Sequence, residues 1–252
     1  MRERRLRVKS RFEHDAVFSP SMLNVSKIKA ITLDLDDTLW PVWPTIARAE
    51  VVLQDWLVLH APQTALLCEN AELKKSIRAE VNQRHLDKAH DLSFLRREAI
   101  RESLLRAGDA PHLAEDAFDV FFAARQDVTL YDGVQDALAR LAARYPLVGL
   151  SNGNADVFLT AAGPYFKTAV SAREFGVAKP DARIFHAAAA ELNLPAEAVL
   201  HLGDDATTDV WGAMNAGMQT AWVNTQGHVW PHPLAQPLTV SHLADLCDHL
   251  LA

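Results

Sequence analysis

Three short polar clusters in this chain combine residue types that suit a hard cation and an anionic ligand. They are Asp34-Leu35-Asp36-Asp37-Thr38, Ser151-Asn152-Gly153-Asn154 and Gly203-Asp204-Asp205-Ala206-Thr207-Thr208-Asp209. Six aspartates, Asp34, Asp36, Asp37, Asp204, Asp205 and Asp209, fall in two of the three segments. Brought together they could not all stay ionised unaided, because two unit charges about 4 Å apart repel by about 4 kcal/mol at an effective dielectric of about 20. Either several take up protons or a cation sits among them. Oxygen donors without histidine or thiolate favour Mg2+ over zinc. Mg2+ held by one or two carboxylates commonly also binds a substrate phosphate.

The elements that must gather these clusters are legible around them. Each cluster follows an apolar run that reads as a buried strand: Ile28 to Asp34, Leu147 to Leu150, and Ala198 to Leu202. Further strands are expected near 168–171 and 219–223, and helices at about 133–144, 181–192, 207–216 and 241–251. Strands alternating with helices imply a parallel sheet covered on both faces. In such a sheet the ligand lies beyond the carboxyl ends of the strands, and right-handed crossovers make the three clusters converge there. Residues 45–126 differ in character: Gly108 is their one glycine, and they read as helices at about 45–60, 70–87, 92–107 and 112–126. Ile46, Ala49, Val52, Leu53 and Trp56 share one helical face, and Pro41 and Pro44 break any continuation of the first strand. The expected architecture is α/β: a Rossmann-like parallel sheet sandwiched by helices, from residues 27–42 and 130–252, with an inserted all-α cap at 43–129.

With these residues in view, the chain resembles the haloacid dehalogenase-like hydrolase superfamily, whose four motifs occur in order. Asp34-Leu-Asp36-Asp-Thr38 matches Asp-x-Asp-x-Thr, and Ser151 matches the serine or threonine that ends an apolar strand. Lys179, in Val177-Ala-Lys179-Pro180-Asp181, matches the lysine ahead of a helix, and Gly203-Asp204 with Asp209 matches the closing acidic motif. The likeness covers about residues 28–225. The layout resembles the subgroup with a helical cap inserted after the first motif. Asn152-Gly-Asn154, Gly203-Asp-Asp205 with Thr207-Thr-Asp209, and His90-Asp91 are most similar to bacterial phosphatases acting on flavin mononucleotide and on the phosphoribitylamino-uracil of riboflavin synthesis.

The resemblance implies roles. Asp34 attacks phosphorus and becomes an aspartyl-phosphate. Asp36 is the general acid toward the leaving oxygen, then the base toward water. Ser151, Asn152 and Lys179 bind the phosphoryl oxygens. The implied Mg2+ set is Asp34, Asp36 through its backbone carbonyl, Asp204 and Asp209, the last either directly or by orienting the lysine or a metal-bound water. Thr38 braces the turn, and Asp205 is either an outer metal ligand or a helix-start acid. The cap is expected to close over the site and select the leaving group, with Trp43, Arg48, His90 and Arg96 as its candidate substrate contacts. Arginine suits a second anionic group and tryptophan a flat ring.

Asp36 sharpens the reaction class. Expelling halide needs no proton, and the true dehalogenases of the superfamily resemble this pattern without the second aspartate, so phosphomonoester hydrolysis is favoured over 2-haloacid dehalogenation. A phosphotransferase or mutase of the same fold would use the same residues. A non-catalytic binding protein would not need them, and Asp34, Asp36, Lys179 and Asp204 together argue against it.

Composition agrees with an ordinary soluble protein. Of 252 residues, 49% are hydrophobic and 23% charged, which argues against disorder and against a membrane protein. Two cysteines, Cys68 and Cys247, give no disulfide framework and no zinc spacing, so a reducing, cytoplasmic setting is expected. The net charge of −7 disfavours nucleic acid as a partner. Residues 1–26 read as a basic, disordered leader. His228 and His232 read as surface loop residues, and His201 as core. The expected partner is a small phosphorylated metabolite; the sequence is silent on oligomeric state.

Overall fold

A computed structural model describes residues 23–251. Among them, six strands form one parallel sheet: β1 (Ala30–Leu33), β2 (Leu147–Ser151), β3 (Thr168–Ser171), β4 (Val199–Gly203), β5 (Gln219–Val223) and β6 (Leu238–Val240). Their order is β3-β2-β1-β4-β5-β6. β1 pairs with β2 on one side (Leu33 opposite Gly149) and with β4 on the other (Leu33 opposite Leu202). The order reverses at this centre, so the ends of β1, β2 and β4 open onto the crevice where ligands bind in doubly wound sheets.

The helices are α1 (Val42–His60), α2 (Pro62–Glu69), α3 (Ala71–Arg84), α4 (Leu92–Ala107), α5 (Ala114–Arg125), α6 (Val134–Ala142), α7 (Ala172–Phe175), α8 (Ala182–Ala190), α9 (Gly212–Asn215) and α10 (Leu243–Leu251). Strand alternation sorts the sheet core into two layers. Ile31, Leu33, Leu200 and Leu202 pack against Leu138 of α6 and Leu246 and Leu250 of α10. Ala30, Val148, Leu150 and Val199 pack against Ile184 and Phe185 of α8 and Ala213 of α9. Because both faces are covered, β1, β2 and β4 are buried at every position.

Helices α1–α5 occupy the chain between β1 and α6 and bury their apolar faces on one another. Ala49, Leu53 and Leu57 of α1 meet Ile100 and Leu104 of α4 and Ala117, Phe118 and Phe121 of α5. Ile77 and Val81 of α3 form a second cluster with Leu95 and Ala99 of α4. Caps match the sequence: Asn70 accepts from Leu73 N–H, Asp91 accepts from Phe94 N–H, and Gly108 ends α4 at φ +82°.

Several elements depart from the sequence reading. α1 begins at Val42, and Pro44 lies in its first turn, where no helical N–H is needed. Pro62 likewise starts α2, a helix the sequence reading lacks. The helix expected at 207–216 opens as a π-helix, Ala206–Trp211, before α9. β6 is three residues long and gives almost no alternation to read. The leader expectation lies, for residues 1–22, outside the described residues. Residues 23–26 are ordered: Leu23 and Val25 pack against the sheet core, and Asn24 N–H donates to Gln219 Oε1 at 2.7 Å.

Candidate active site

Asp34 directly follows β1, Ser151 ends β2 and Gly203-Asp204 ends β4, so three adjacent strands deliver the three clusters to one crevice. Lys179 arrives from the loop between α7 and α8, and its ammonium is fully used. It donates to Asp34 Oδ1 at 2.5 Å, to Asp209 Oδ1 at 2.6 Å and to the Leu150 carbonyl at 2.8 Å. Asp34, Lys179 and Asp209 are all buried. Asp209 Oδ2 accepts from the Asp205 N–H at 3.1 Å, and His201 Nε2 lies 3.4 Å from Asp209 Oδ1. His201 is in turn paired with Thr32 Oγ1 at 2.8 Å across β1 and β4. His201 is therefore core, as expected, and also a brace for the acid that holds the lysine. A Cβ on Gly203 would lie 2.3 Å from Asp209 Cγ, so only glycine lets the strand end approach Asp209.

The acids form a frustrated set. Carboxylate oxygens of Asp34, Asp204 and Asp209 all lie within 4.8 Å of one another. Burial raises Asp34 well above its usual range; the Lys179 charge opposes this, and Asp209 and Asp204 reinforce it. Burial, with Asp209 nearby, pushes Asp204 up to about 7. Burial would raise Asp209 too, but Lys179 and His201 hold it at about 2. Lys179 would be lowered by burial, yet Asp209 and Asp34 lift it above the usual lysine value. One cation thus faces three acids, and burial holds two of them, Asp34 and Asp204, above the usual carboxyl range. Asp204 is the least committed: Oδ1 accepts only the Thr38 hydroxyl, at 3.1 Å. Such an all-oxygen set could hold a hard divalent cation. Asp209, with both oxygens engaged, is placed to orient Lys179.

Asp36 stands apart from these three. Its carboxylate accepts from the Trp40 indole N–H at 2.8 Å and from the Arg125 guanidinium. The turn carrying it is tight: Asp37 adopts φ +59°, its N–H donates to the Trp40 carbonyl at 2.7 Å, and its Oδ1 accepts from the Val42 N–H at the start of α1. Opposite, a Cβ on Gly153 would lie 2.3 Å from Asp36 Oδ2, so this glycine makes room for the acid. Ser151 Oγ accepts from the Gly153 N–H at 2.9 Å, which leaves its own proton free to donate.

Other expected residues are placed less simply. Asn152 does not offer its side chain to the crevice: Oδ1 accepts from the Lys179 N–H at 2.8 Å and Nδ2 donates to the Lys179 carbonyl at 3.0 Å. The side chain is thus a tether that fixes the lysine, and the expected phosphate contact is left to the Asn152 backbone amide. Asp205 caps the π-helix, accepting from Thr207 and Thr208 N–H at 2.8 and 2.6 Å, and so serves as the helix-start acid. Trp43 is 76% exposed on the first turn of α1, and Arg48 is spent on the Asp127 carbonyl at 2.6 Å, tying α1 to the returning chain. Neither lines the cleft described below. His90 lies half-buried in the turn before α4. His232 stacks on Trp211, and His228 is exposed.

Arg96 is well placed. It lines a cleft with Ile46, Arg78, Asn82, Leu92 and Leu95 from the helical block, and Asn154 closes the cleft from the β2 side. Glu50, shared by Lys74, Arg78 and Arg96, neutralises one of three cations. Burial would raise Glu50, but Arg96, Arg78 and Lys74 bring it down to about 2. The cleft keeps an excess of positive charge beside apolar walls. Sequence reasoning missed Arg78, because nothing local links it to Glu50, 28 residues away. It also missed Arg125, although that residue interrupts the apolar stripe Ala114, Phe118, Phe121 at helical spacing, which is a readable signal.

Residues 28–217 match the family model for haloacid dehalogenase-like hydrolase. Over 230 residues the chain is 33% identical to the 5-amino-6-(5-phospho-D-ribitylamino)uracil phosphatase YigB of Escherichia coli K12, covering 88% of this chain and 96% of the relative. It is 28% identical to the pyrimidine 5'-nucleotidase PynA of Streptococcus pneumoniae, covering 88% and 94%. Among solved structures it resembles a 2-haloacid dehalogenase of Pseudomonas syringae pv. Tomato DC3000, with 35% identity, a TM-score of 0.83 and coverage of 89% of this chain and 98% of the other. No helix among the described residues is long and apolar enough to cross a membrane.

Proposed function

The chain belongs to the haloacid dehalogenase-like hydrolase family, and from that membership we propose that it hydrolyses phosphomonoesters through an aspartyl-phosphate on Asp34. The observation that carries the reading is Asp36. A second carboxylate, held out of the Asp34–Asp204–Asp209 group by Trp40 and Arg125, is what a reaction with a protonated leaving group requires. Asp34 forms a bond to phosphorus as the ester P–O bond breaks in line, and Asp36 gives its proton to the departing oxygen. Asp36 then takes a proton from water as that water breaks the acyl-phosphate bond, releasing inorganic phosphate and restoring Asp34. Ser151, the amides after it and Lys179 bind the phosphoryl oxygens. Mg2+, held by Asp34, Asp204 and the Asp36 carbonyl, supplies the positive charge that offsets nucleophile and phosphate.

Helices α1–α5, which run from Val42 to Arg125 and so begin one residue ahead of the expected insert at 43–129, act as the cap. The relatives are named for a phosphoribitylamino-uracil and for pyrimidine 5'-nucleotides, monophosphates whose sugar or ribityl chain carries a pyrimidine ring with polar acceptors. The cleft's apolar Ile46, Leu92 and Leu95 with donors from Arg78, Arg96 and Asn154 suit such a ring, which supports FMN or the phosphoribitylamino-uracil as the substrate. Arg78→Ala is therefore expected to lower kcat/KM about tenfold for a ring-bearing monoester and to leave p-nitrophenyl phosphate within about twofold, since a hydrogen bond to a charged group is worth about 1.5–3 kcal/mol. Equal loss on both esters would remove Arg78 from recognition.

The named P. syringae relative favours one second reading, 2-haloacid dehalogenation. Phosphate release from a panel of flavin, sugar and nucleotide monophosphates, run beside chloride release from a 2-chloroalkanoic acid, separates the two. Mg2+-dependent phosphate release alone supports the phosphatase; chloride release without phosphatase activity overturns it.

The raised Asp204 also sets a pH dependence for the metal. In the folded protein this carboxyl keeps its proton to about pH 7, whereas the unfolded chain loses it near about 3.9. Between those values the folded state holds the extra proton, so Asp204 alone makes stability fall as pH rises. His201, held below its usual value by burial, pulls the other way, but it is not a ligand and cancels in a comparison with and without metal. The rise in Tm on adding Mg2+ is therefore expected to be larger at pH 8 than at pH 5. An equal rise at both values contradicts carboxylate ligation by Asp204.

A further inference from the structure

Arg125 is the last residue of α5, where the helical block returns to the sheet, and it is 1% exposed. Its Nη2 donates to Asp36 Oδ1. Its Nε and Nη1 are buried and have no hydrogen-bond partner among the described residues. A guanidinium kept only to stabilise a fold is normally satisfied on more of its five donors, because buried donors without partners are costly. The other donor to Asp36 is the Trp40 indole, wholly buried in the sheet core two residues before α1 begins. The two donors thus sit at the two crossings of the chain between sheet and helical block, one on the way out and one on the way back. Trp40 ties the acid to the sheet; Arg125 ties it to the block that covers the site. Gly153 leaves the other oxygen, Oδ2, room and no alternative anchor.

We propose that Arg125 is a positioning residue for Asp36: it aims the carboxyl that serves as general acid only while the helical block is seated, so that cap placement and proton donation are linked through one ion pair. The inference rests on the phosphatase reading of Asp36. It is separable from that reading because proton donation matters most for a poor leaving group. An alkoxide leaves only with a proton, whereas p-nitrophenolate leaves readily without one.

The test compares kcat/KM, which reports the steps up to the phosphoenzyme, for an alkyl phosphomonoester and for p-nitrophenyl phosphate. Arg125→Ala is expected to lose about 100-fold on the alkyl ester, the low end of what general acid catalysis contributes, and several-fold at most on the aryl ester. Arg125→Lys, which keeps a cation at the helix end, is expected to recover part of the alkyl activity, and it carries the comparison if the alanine variant does not fold. In an Asp36→Asn background Arg125→Ala is expected to cause no further loss. Loss by the same factor on both esters, or an undiminished additional loss in the Asp36→Asn background, overturns the inference and leaves the phosphatase reading standing. A wild type that releases phosphate from neither ester overturns the phosphatase reading and this inference with it.

Discussion

Asp34→Asn is expected to abolish turnover, with a fall of about 10⁴-fold or more, while the protein remains folded. The size follows from removing a covalent nucleophile, for which losses of this order or greater are found in other enzymes. The retention of fold follows from the electrostatics. Burial and the neighbouring acids raise Asp34 well above the usual carboxyl value, so its charge is a burden to the folded, metal-free protein. Asparagine keeps an oxygen to accept from Lys179 and removes one of the converging negative charges. Phosphate release and a thermal melt on the same preparation check both halves. A variant keeping a tenth of wild-type turnover would remove Asp34 from the nucleophile role; one that does not fold would contradict the charge argument.

Lys179→Met is expected to cost stability as well as activity. The ammonium contacts two buried carboxylates and a backbone carbonyl, and methionine fills similar space without charge. Removing one partner of a buried ion pair costs about 3–5 kcal/mol, because the other partner is left uncompensated. The loss carries a pH signature. Asp209 is held at about 2 largely by Lys179 acting against burial. A depressed carboxyl stabilises the fold above the unfolded value and loses that contribution as pH falls through its folded value. In the variant Asp209 takes up a proton much more readily, so the gap to wild type should narrow as pH falls from about 7 toward about 4. Urea unfolding at the two pH values measures it. A pH-independent gap would mean that packing, not charge, is what Lys179 contributes.

How far the sequence carries these conclusions depends on the range of the interaction. The motif aspartates, Ser151 and Lys179 were legible because each sits at the end of an apolar strand or before a helix, where local pattern and topology suffice. Asp209 was legible as a position, with orienting the lysine among its implied roles, but its actual contacts needed the fold, since its partners lie on a different loop and on β4. Asn152 shows the limit within a motif: the residue was found, yet its side chain turns to the Lys179 backbone, a pairing 27 residues away in sequence. In the helical block the reading was weaker, because an arginine facing water and one facing a cleft look alike along the chain. Trp43 and Arg48 stand outside the cleft that Arg96 lines, and Arg78, which lines it, is the omission. Arg125 could have been found, as a charge on an apolar stripe. α2 and β6 escaped because short elements beside prolines carry little periodicity.

The most direct test of the central claim is to quench the wild-type protein in acid during turnover of a phosphomonoester with Mg2+ and map the phosphorylated peptide by mass spectrometry. The account predicts a phosphoryl group on Asp34, in the peptide spanning Ile31 to Trp40, absent when Mg2+ is chelated. Phosphate released at full rate with no phosphoryl group trapped there, or with the group on another residue, would contradict it.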